Sequence, residues 1–466
     1  MGERPFSYPY IPNSVPEVKQ AMLREVGAND IMTLYEEIPE HLKFKGRLNM
    51  PDAMLDEYGI KRHVAELLKK NANCEDNLNF LGAGCAQHFV PAVCDEINTR
   101  GELLTAYVGE SYADHGKWQA FFEYSSLMAE LLDMDILSVP LYDGPQAVAT
   151  SVRMAARATG KREVLVPASL SPETARVTRN YVNGPTPQVD LVEVAYDPAT
   201  GLLDLADLQA KVSDKTAAVL IENPTYFGLI ETQAEEIGKI AKGAGAELVV
   251  ACDPISLGVM APPAHYGASF ACGDLHPLGI HMLGGGGQGG FVATPDDMRL
   301  INEFKDLMFG LTETVKEGEY GFGEILFDRT SYGSRDEGKE FTGTSTGLWA
   351  ITAGVYLALM GPYGMEEVGQ TIMQRSQYAA KKVGALDGVS LPFGGPFFKE
   401  FVVNFDGTGK SVAEINKALL DHQIFGGKDL SAEFPAHGQS ALYCVTEIMM
   451  KDDIDRLVDA LGAVLA

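Results

Sequence analysis

The sequence predicts an α/β fold in which helices cover a mostly parallel sheet. Between about residues 76 and 330, short β-branched runs that end in turn chemistry alternate with stretches of helical spacing. After about residue 340 the pattern changes to long helices and a few strands, which fits a small α+β domain. The strand candidates are "REVLVPAS", "QVDLVEVAYD", "TAAVLIENP" and "AELVVACDP". Helical stretches such as "SPETARVTRNYV" and "QAEEIGKIAKGAG" lie between them, as βαβ units require. "KWQAFFEYSSLMAELLDM" has helical spacing and is expected to bury Phe121, Tyr124, Leu127, Met128 and Leu131 along one stripe.

Three segments follow from this reading: an N-terminal helical arm (1–75), a large α/β domain (76–340) and a small α+β C-terminal domain (341–466). The arm reads as short helices punctuated by prolines, "SVPEVKQAMLREVG" and "DIMTLYEEIP". Ser14 is placed to cap the first, with Pro16 in its opening turn. Such an arm makes no core of its own and is expected to wrap over another domain or a partner subunit. The C-terminal part runs "GLWAITAGVYLALMG", "MEEVGQTIMQRSQYAAKKVGAL", "KEFVVNFD", "SVAEINKALLDHQ", "SALYCVTEI" and "KDDIDRLVDALGAVL". Arm, large α/β domain and small domain together match, by fold-level analogy, fold type I pyridoxal phosphate (PLP) enzymes, the aspartate aminotransferase-like transferases.

Charge narrows the partners. With 37 basic and 64 acidic residues the net charge is −27, which disfavours nucleic acid and anionic membranes. The six cysteines form no CxxC pair, as expected for free thiols in a reducing cytoplasm. The first residues lack the basic and apolar regions of a signal peptide, and no run of about 18 apolar residues is seen.

Ligands of open parallel sheets sit beyond the carboxyl ends of the strands. "LYDGPQA", "ENPTYFG", "CDPISLG" and "GDLHPLGIHMLGGGGQGGF" fall there. Asp253 fits two readings: the partner of a PLP pyridinium nitrogen, or the start of an Asp-Pro turn. "YDGPQA" is a weak phosphate cradle, because Pro145 has no amide to donate. The glycines from Gly284 to Gly290 match no nucleotide fingerprint. A PLP enzyme needs a lysine near this loop, yet those closest in sequence are Lys242 and Lys305. His265, His276 and His281 have no metal-ligand spacing, so no metal is expected.

Taken together, the arm "YIPNS...MLREVGANDIMTLYEEIPEHLKFKGRLNMP" with "FLGAGCAQHFVP", "TAY", "YDGPQA", "ENPTYFG", "DPISLG", "HPLGIHMLGGGGQGGF", "PFFKEFVV" and "CVTEIMMKDDIDRLVDAL" resembles the glycine dehydrogenase (decarboxylating) family, the P-protein of the glycine cleavage system. The similarity is to the separately encoded subunit 1, or alpha subunit, and covers nearly the whole chain. In that family subunit 2 carries PLP on a lysine in a His-Lys-Thr motif before a glycine run. Laid against it, His276 matches the histidine and Pro277 falls at the lysine.

The resemblance implies a subunit without PLP of its own, with Asp253 vestigial, paired with a PLP-bearing subunit 2 in an α2β2 assembly. Glycine would lose CO2 there, and its aminomethyl group would pass to the lipoyl arm of the H-protein. By position the resemblance suggests Thr105, Tyr107, His88, Tyr142 and Asn223 as residues lining the shared site. Two segments, 108–118 and 330–346, depart from the family pattern. They leave room for a paralogue acting on another small amino acid or acceptor, or for a regulatory pseudoenzyme of the same fold.

Overall fold

The computed structural model describes residues 10–11, 15–46, 48–51, 54, 56–104, 115–184, 188–284, 288–341 and 344–466. They divide into two compact units, Met1–Ala72 and Asn73–Ala466.

In the first unit, helices Pro16–Glu25 and Glu57–Leu68 flank the 3-10 turns Ile31–Tyr35 and Glu40–Leu42. The first helix starts from Val15 without a side-chain cap, and Ser14 lies outside the described residues. "DIMTLYEEIP" forms a 3-10 turn rather than an α-helix, because the Asp30 carboxylate takes the Met32 and Thr33 amides and tightens the backbone. Among the described residues of this unit only Leu23 and Ala28 are buried. Ile31, Met32, Leu34, Leu42 and Phe44 are all exposed.

The second unit is built on a seven-stranded sheet: β1 (Ile136–Leu137), β2 (Glu163–Pro167), β3 (Asp190–Val194), β4 (Thr216–Glu222), β5 (Glu247–Ala251), β6 (Phe270–Asp274) and β7 (Gly290–Thr294). Their order is β3-β2-β4-β5-β6-β7-β1. The five from β3 to β6 pair in parallel, and β7 is antiparallel to both neighbours. Strand β4 is buried from Thr216 to Ile221, since a central parallel strand is covered on both faces. One face packs on a cluster that includes Leu165, Val219, Val250 and Phe291. The other packs on Val164, Leu220, Val249 and Val292, beneath the helix Gly144–Thr159.

The helix Trp118–Leu132 buries Phe121, Tyr124, Met128 and Leu132. Leu127 and Leu131, expected in that stripe, are only partly buried. Spacings of three, four and four keep the fully covered stripe narrow. A hairpin of Phe309–Glu313 with Tyr320–Glu324, not foreseen from the sequence, follows the sheet.

Gly347–Val383 holds two helices that meet at Gly361, where φ is 56° and Pro362 opens the second piece. It is the one described helix long and apolar enough to cross a membrane, which the search for an 18-residue apolar run did not bring out. Ala350, Ala353, Tyr356 and Ile372 on it are buried in the core shared with Trp118–Leu132. Beyond it, Glu400–Asn404, Ser440–Cys444 and Lys428–Asp429 form an antiparallel sheet with Ser440–Cys444 in the middle. Its core also takes in Phe80, Tyr226 and Phe227, the last stacked on Phe393 at 5.2 Å. That shared core seats the strand Glu400–Asn404 against the loop after β4.

Candidate functional site

A cavity of about 510 Å³ opens at the carboxyl ends of β4, β5 and β6. Each of these adjacent strands delivers a carboxylate: Glu222 ends β4, Asp253 follows β5, and Asp274 ends β6. Parallel strands side by side place equivalent positions on one edge, which is why this edge collects side chains far apart in sequence. Asp143, Glu173 and Glu400 add to the acidic wall.

The cation answering them is one that sequence reading did not single out. Lys399 precedes the strand Glu400–Asn404 and is held by its neighbours' backbone. Phe398 N–H donates to Gly228 O at 3.1 Å, and Val445 N–H donates to Lys399 O at 2.9 Å. The Lys399 ammonium lies 2.5 Å from Asp253 Oδ2. It also lies 3.3 Å from His88 Nε2, and His88 Nδ1 lies 2.8 Å from Glu447 Oε2. An ammonium only donates, so His88 Nε2 accepts and its Nδ1–H points to Glu447. Burial alone would raise the Asp253 carboxyl, but the Lys399 ammonium beside it outweighs burial and holds it below the usual carboxylate range. Burial likewise opposes the Lys399 charge, and Asp253 outweighs it, keeping the ammonium above the usual lysine range. A lysine so held is protonated and cannot act as a nucleophile.

The remaining acids respond differently. Burial pushes Glu222 up to about 8, against the Ser171 and Tyr226 amides that lower it. Burial also raises Asp274 to about 7, although its Oδ1 accepts from His276 N–H at 2.7 Å. Burial lowers His276 to about 3, leaving a neutral imidazole. These raised carboxyls couple stability to pH. The folded chain holds a proton on Glu222 that the unfolded chain releases near 4.5, so its contribution is complete below 4.5 and is lost as pH rises through about 8. Urea unfolding midpoints are therefore expected to fall across that window, and Glu222→Gln is expected to flatten the slope. A slope unchanged in the variant would contradict the assignment.

The candidate residues are not gathered in one place. Thr105 and Tyr107 lie outside the described residues, as does most of segment 108–118. His88 joins the site through Lys399. Asn223 is buried, and its side-chain oxygen accepts from Glu231 N–H at 3.0 Å. Tyr142 is partly exposed, with its hydroxyl 3.2 Å from Thr344 Oγ1, and does not line the cavity. Asp253 and Pro277 do line it. In segment 330–346, the half-buried Glu340 lies against Arg153 at 2.9 Å and Lys305 at 3.5 Å. Lys305 is thereby committed to that cluster, while Lys242 lies by a different surface cleft.

PLP does not fit this cavity. Pro277 supplies no amine, and Lys399 already occupies the Asp253 carboxylate that a pyridinium would need. The helix Gly144–Thr159 offers no phosphate cradle. Asp143 takes the Gln146 amide at 2.8 Å, Gly144 N–H faces Asp274 at 3.4 Å, and Pro145 has no N–H. Asp143 and Asp274 would also repel a phosphate.

Arm, sheet order and small C-terminal domain define the class as the PLP-dependent transferase fold. An alanine–glyoxylate aminotransferase from Nostoc sp. aligns with a TM-score of 0.58 at 14% identity, covering 84% of this chain and 96% of that one. A crystal structure of inhibitor-bound glycine decarboxylase (P-protein) of the glycine cleavage system aligns with a TM-score of 0.85 at 30% identity, covering 98% of this chain and 100% of that one. The family model for the glycine cleavage system P-protein matches residues 9–461, and the chain belongs to that family. A relative from Staphylothermus marinus, named probable glycine dehydrogenase (decarboxylating) subunit 1, is 36% identical over 98% of both chains. One of the same name from Carboxydothermus hydrogenoformans is 38% identical over 97% of this chain and 99% of its own.

Proposed function

We propose that this glycine decarboxylase subunit is the half that carries no PLP, and that it completes a partner subunit that does. The observation that carries the reading is the Lys399–Asp253 ion pair, which with Pro277 leaves a PLP-type fold without PLP chemistry. Family and fold call for PLP in the complex, and the relatives' name, subunit 1, calls for a second chain. In this reading PLP sits on subunit 2, an α2β2 complex decarboxylates glycine, and the aminomethyl group passes to the lipoyl arm of an H-protein. PLP supplies the electron sink for decarboxylation when bound to that partner.

This chain's contribution is to shape the shared site and exclude water from it. The arm supports a partner surface, because the described residues of Met1–Ala72 expose most of their large apolar side chains. All six cysteines are free, which suits a reducing cytoplasm. The experiment is glycine–bicarbonate exchange with the two chains expressed separately and together. Exchange is expected only from the pair, and exchange by this chain alone would defeat the reading.

A further inference from the structure

We propose that Lys399 is a built-in lock: its ammonium lets the small C-terminal sheet close on the end of the large sheet, so the cavity keeps one shape with no ligand in it. Three pieces of the chain meet at this ammonium. Asp253 comes from the loop after β5, and His88 from the segment that leads into the helix Ala92–Asn98. Lys399 itself stands at the start of the strand Glu400–Asn404. His88 passes the contact on to Glu447, just beyond the strand Ser440–Cys444. The Arg375 guanidinium, on the long helix, donates to Glu447 O and Met449 O and fixes the far end of this chain of contacts.

A second, independent observation is the closeness of the seam itself. Backbone groups join its two sides: Phe398 N–H donates to Gly228 O at 3.1 Å, and Ile230 N–H donates to Pro396 O at 2.8 Å. Two glycines allow this approach. Gly228 has a φ of 84°, and a Cβ there would collide with Glu400 O. A Cβ at Gly82 would collide with Glu400 Oε1 and Cys444 Cβ. The seam has no space for a side chain at either position.

Charge decides whether so close a seam stays shut. With the ammonium in place, Asp253 is compensated while both side chains are largely buried. Without it, the shut seam holds a stranded carboxylate, and opening relieves that cost by admitting water. The seam's backbone hydrogen bonds oppose opening only weakly, because water replaces them at little net cost. Lys399 therefore does for Asp253, from within the chain, what the cation of a bound ligand would otherwise do. A wall shut in this way meets a partner already in its final shape, which spares the ordering cost of binding. The inference goes beyond the decarboxylase reading and stands without it, because it concerns this chain alone.

The test is hydrogen–deuterium exchange, read by peptide mass spectrometry, on the purified full chain. In the native chain the Ile230 and Phe398 amides are expected to exchange as slowly as those of Val219 and Val249 in the central strands. In Lys399→Ala the seam amides are expected to speed up by about tenfold or more beyond any change in the strands. Propylammonium, which replaces the atoms removed, is expected to restore protection, and propan-1-ol is not. Adding Asp253→Asn to Lys399→Ala is expected to shut the seam again with no amine present. Fast exchange at the seam of the native chain would overturn the proposal. So would equal acceleration of seam and strands in Lys399→Ala, or rescue by both compounds or by neither. Where Lys399→Ala alone does not fold, the double variant decides: a chain still unfolded, or open at the seam, would overturn the proposal too.

Discussion

Replacing Lys399 with methionine is expected to destabilise the chain by about 3–5 kcal/mol, the usual cost of removing one partner from a buried ion pair. Lys399 and Asp253 side chains are only 12% and 14% exposed, so water does not take over the abandoned charge. Methionine keeps the length and apolar character of the lysine stem, so the loss reports mainly the stranded Asp253 carboxylate, together with the His88 contact. Adding Asp253→Asn to Lys399→Met is expected to recover most of that loss, because the pair's net worth is small once both charges are gone. Denaturant midpoints of the four proteins in this cycle give the answer. Equal losses in the single and double variants would mean that packing, rather than the charge pair, dominates.

Removing the arm is expected to have the other large effect. A chain beginning after Ala72 should retain a folded Asn73–Ala466 unit, because that unit has its own sheet and its own buried clusters. It should no longer co-purify with a coexpressed PLP-bearing partner. Two buried side chains among the described residues of Met1–Ala72 are too few for a core, and the exposed run from Ile31 to Phe44 is the kind of surface that gains by burial against another protein. Retained co-purification of the truncated chain would show that the partner contact lies elsewhere.

The fold was legible because buried parallel strands write themselves as continuous apolar runs, as in "TAAVLIE", with amphipathic helices between. The Asp30-capped turn and the hairpin at Phe309–Glu313 were not, since short elements lack the length for a clear period. At the site, Asp253 stood out by its place after a strand. Lys399 did not, although it sits inside the quoted "PFFKEFVV". A lysine in an apolar run reads as an ordinary strand residue, and its partner is 146 positions away in the chain. The signal available was local: Lys399 and Glu400 sit between the buried rings of Phe398 and Phe401, where unpaired charge is costly. Asn223 shows the reverse. It falls in a conspicuous motif, yet its side-chain oxygen serves the Glu231 amide.

The central claim is that PLP in the complex belongs to the partner chain. Borohydride reduction of the assembled complex fixes PLP to the lysine that holds it, and peptide mass spectrometry then identifies that lysine. The account predicts a pyridoxyl-lysine in the partner and none in this chain. A pyridoxyl group on Lys399, Lys305, Lys242 or any other lysine of this chain would contradict it.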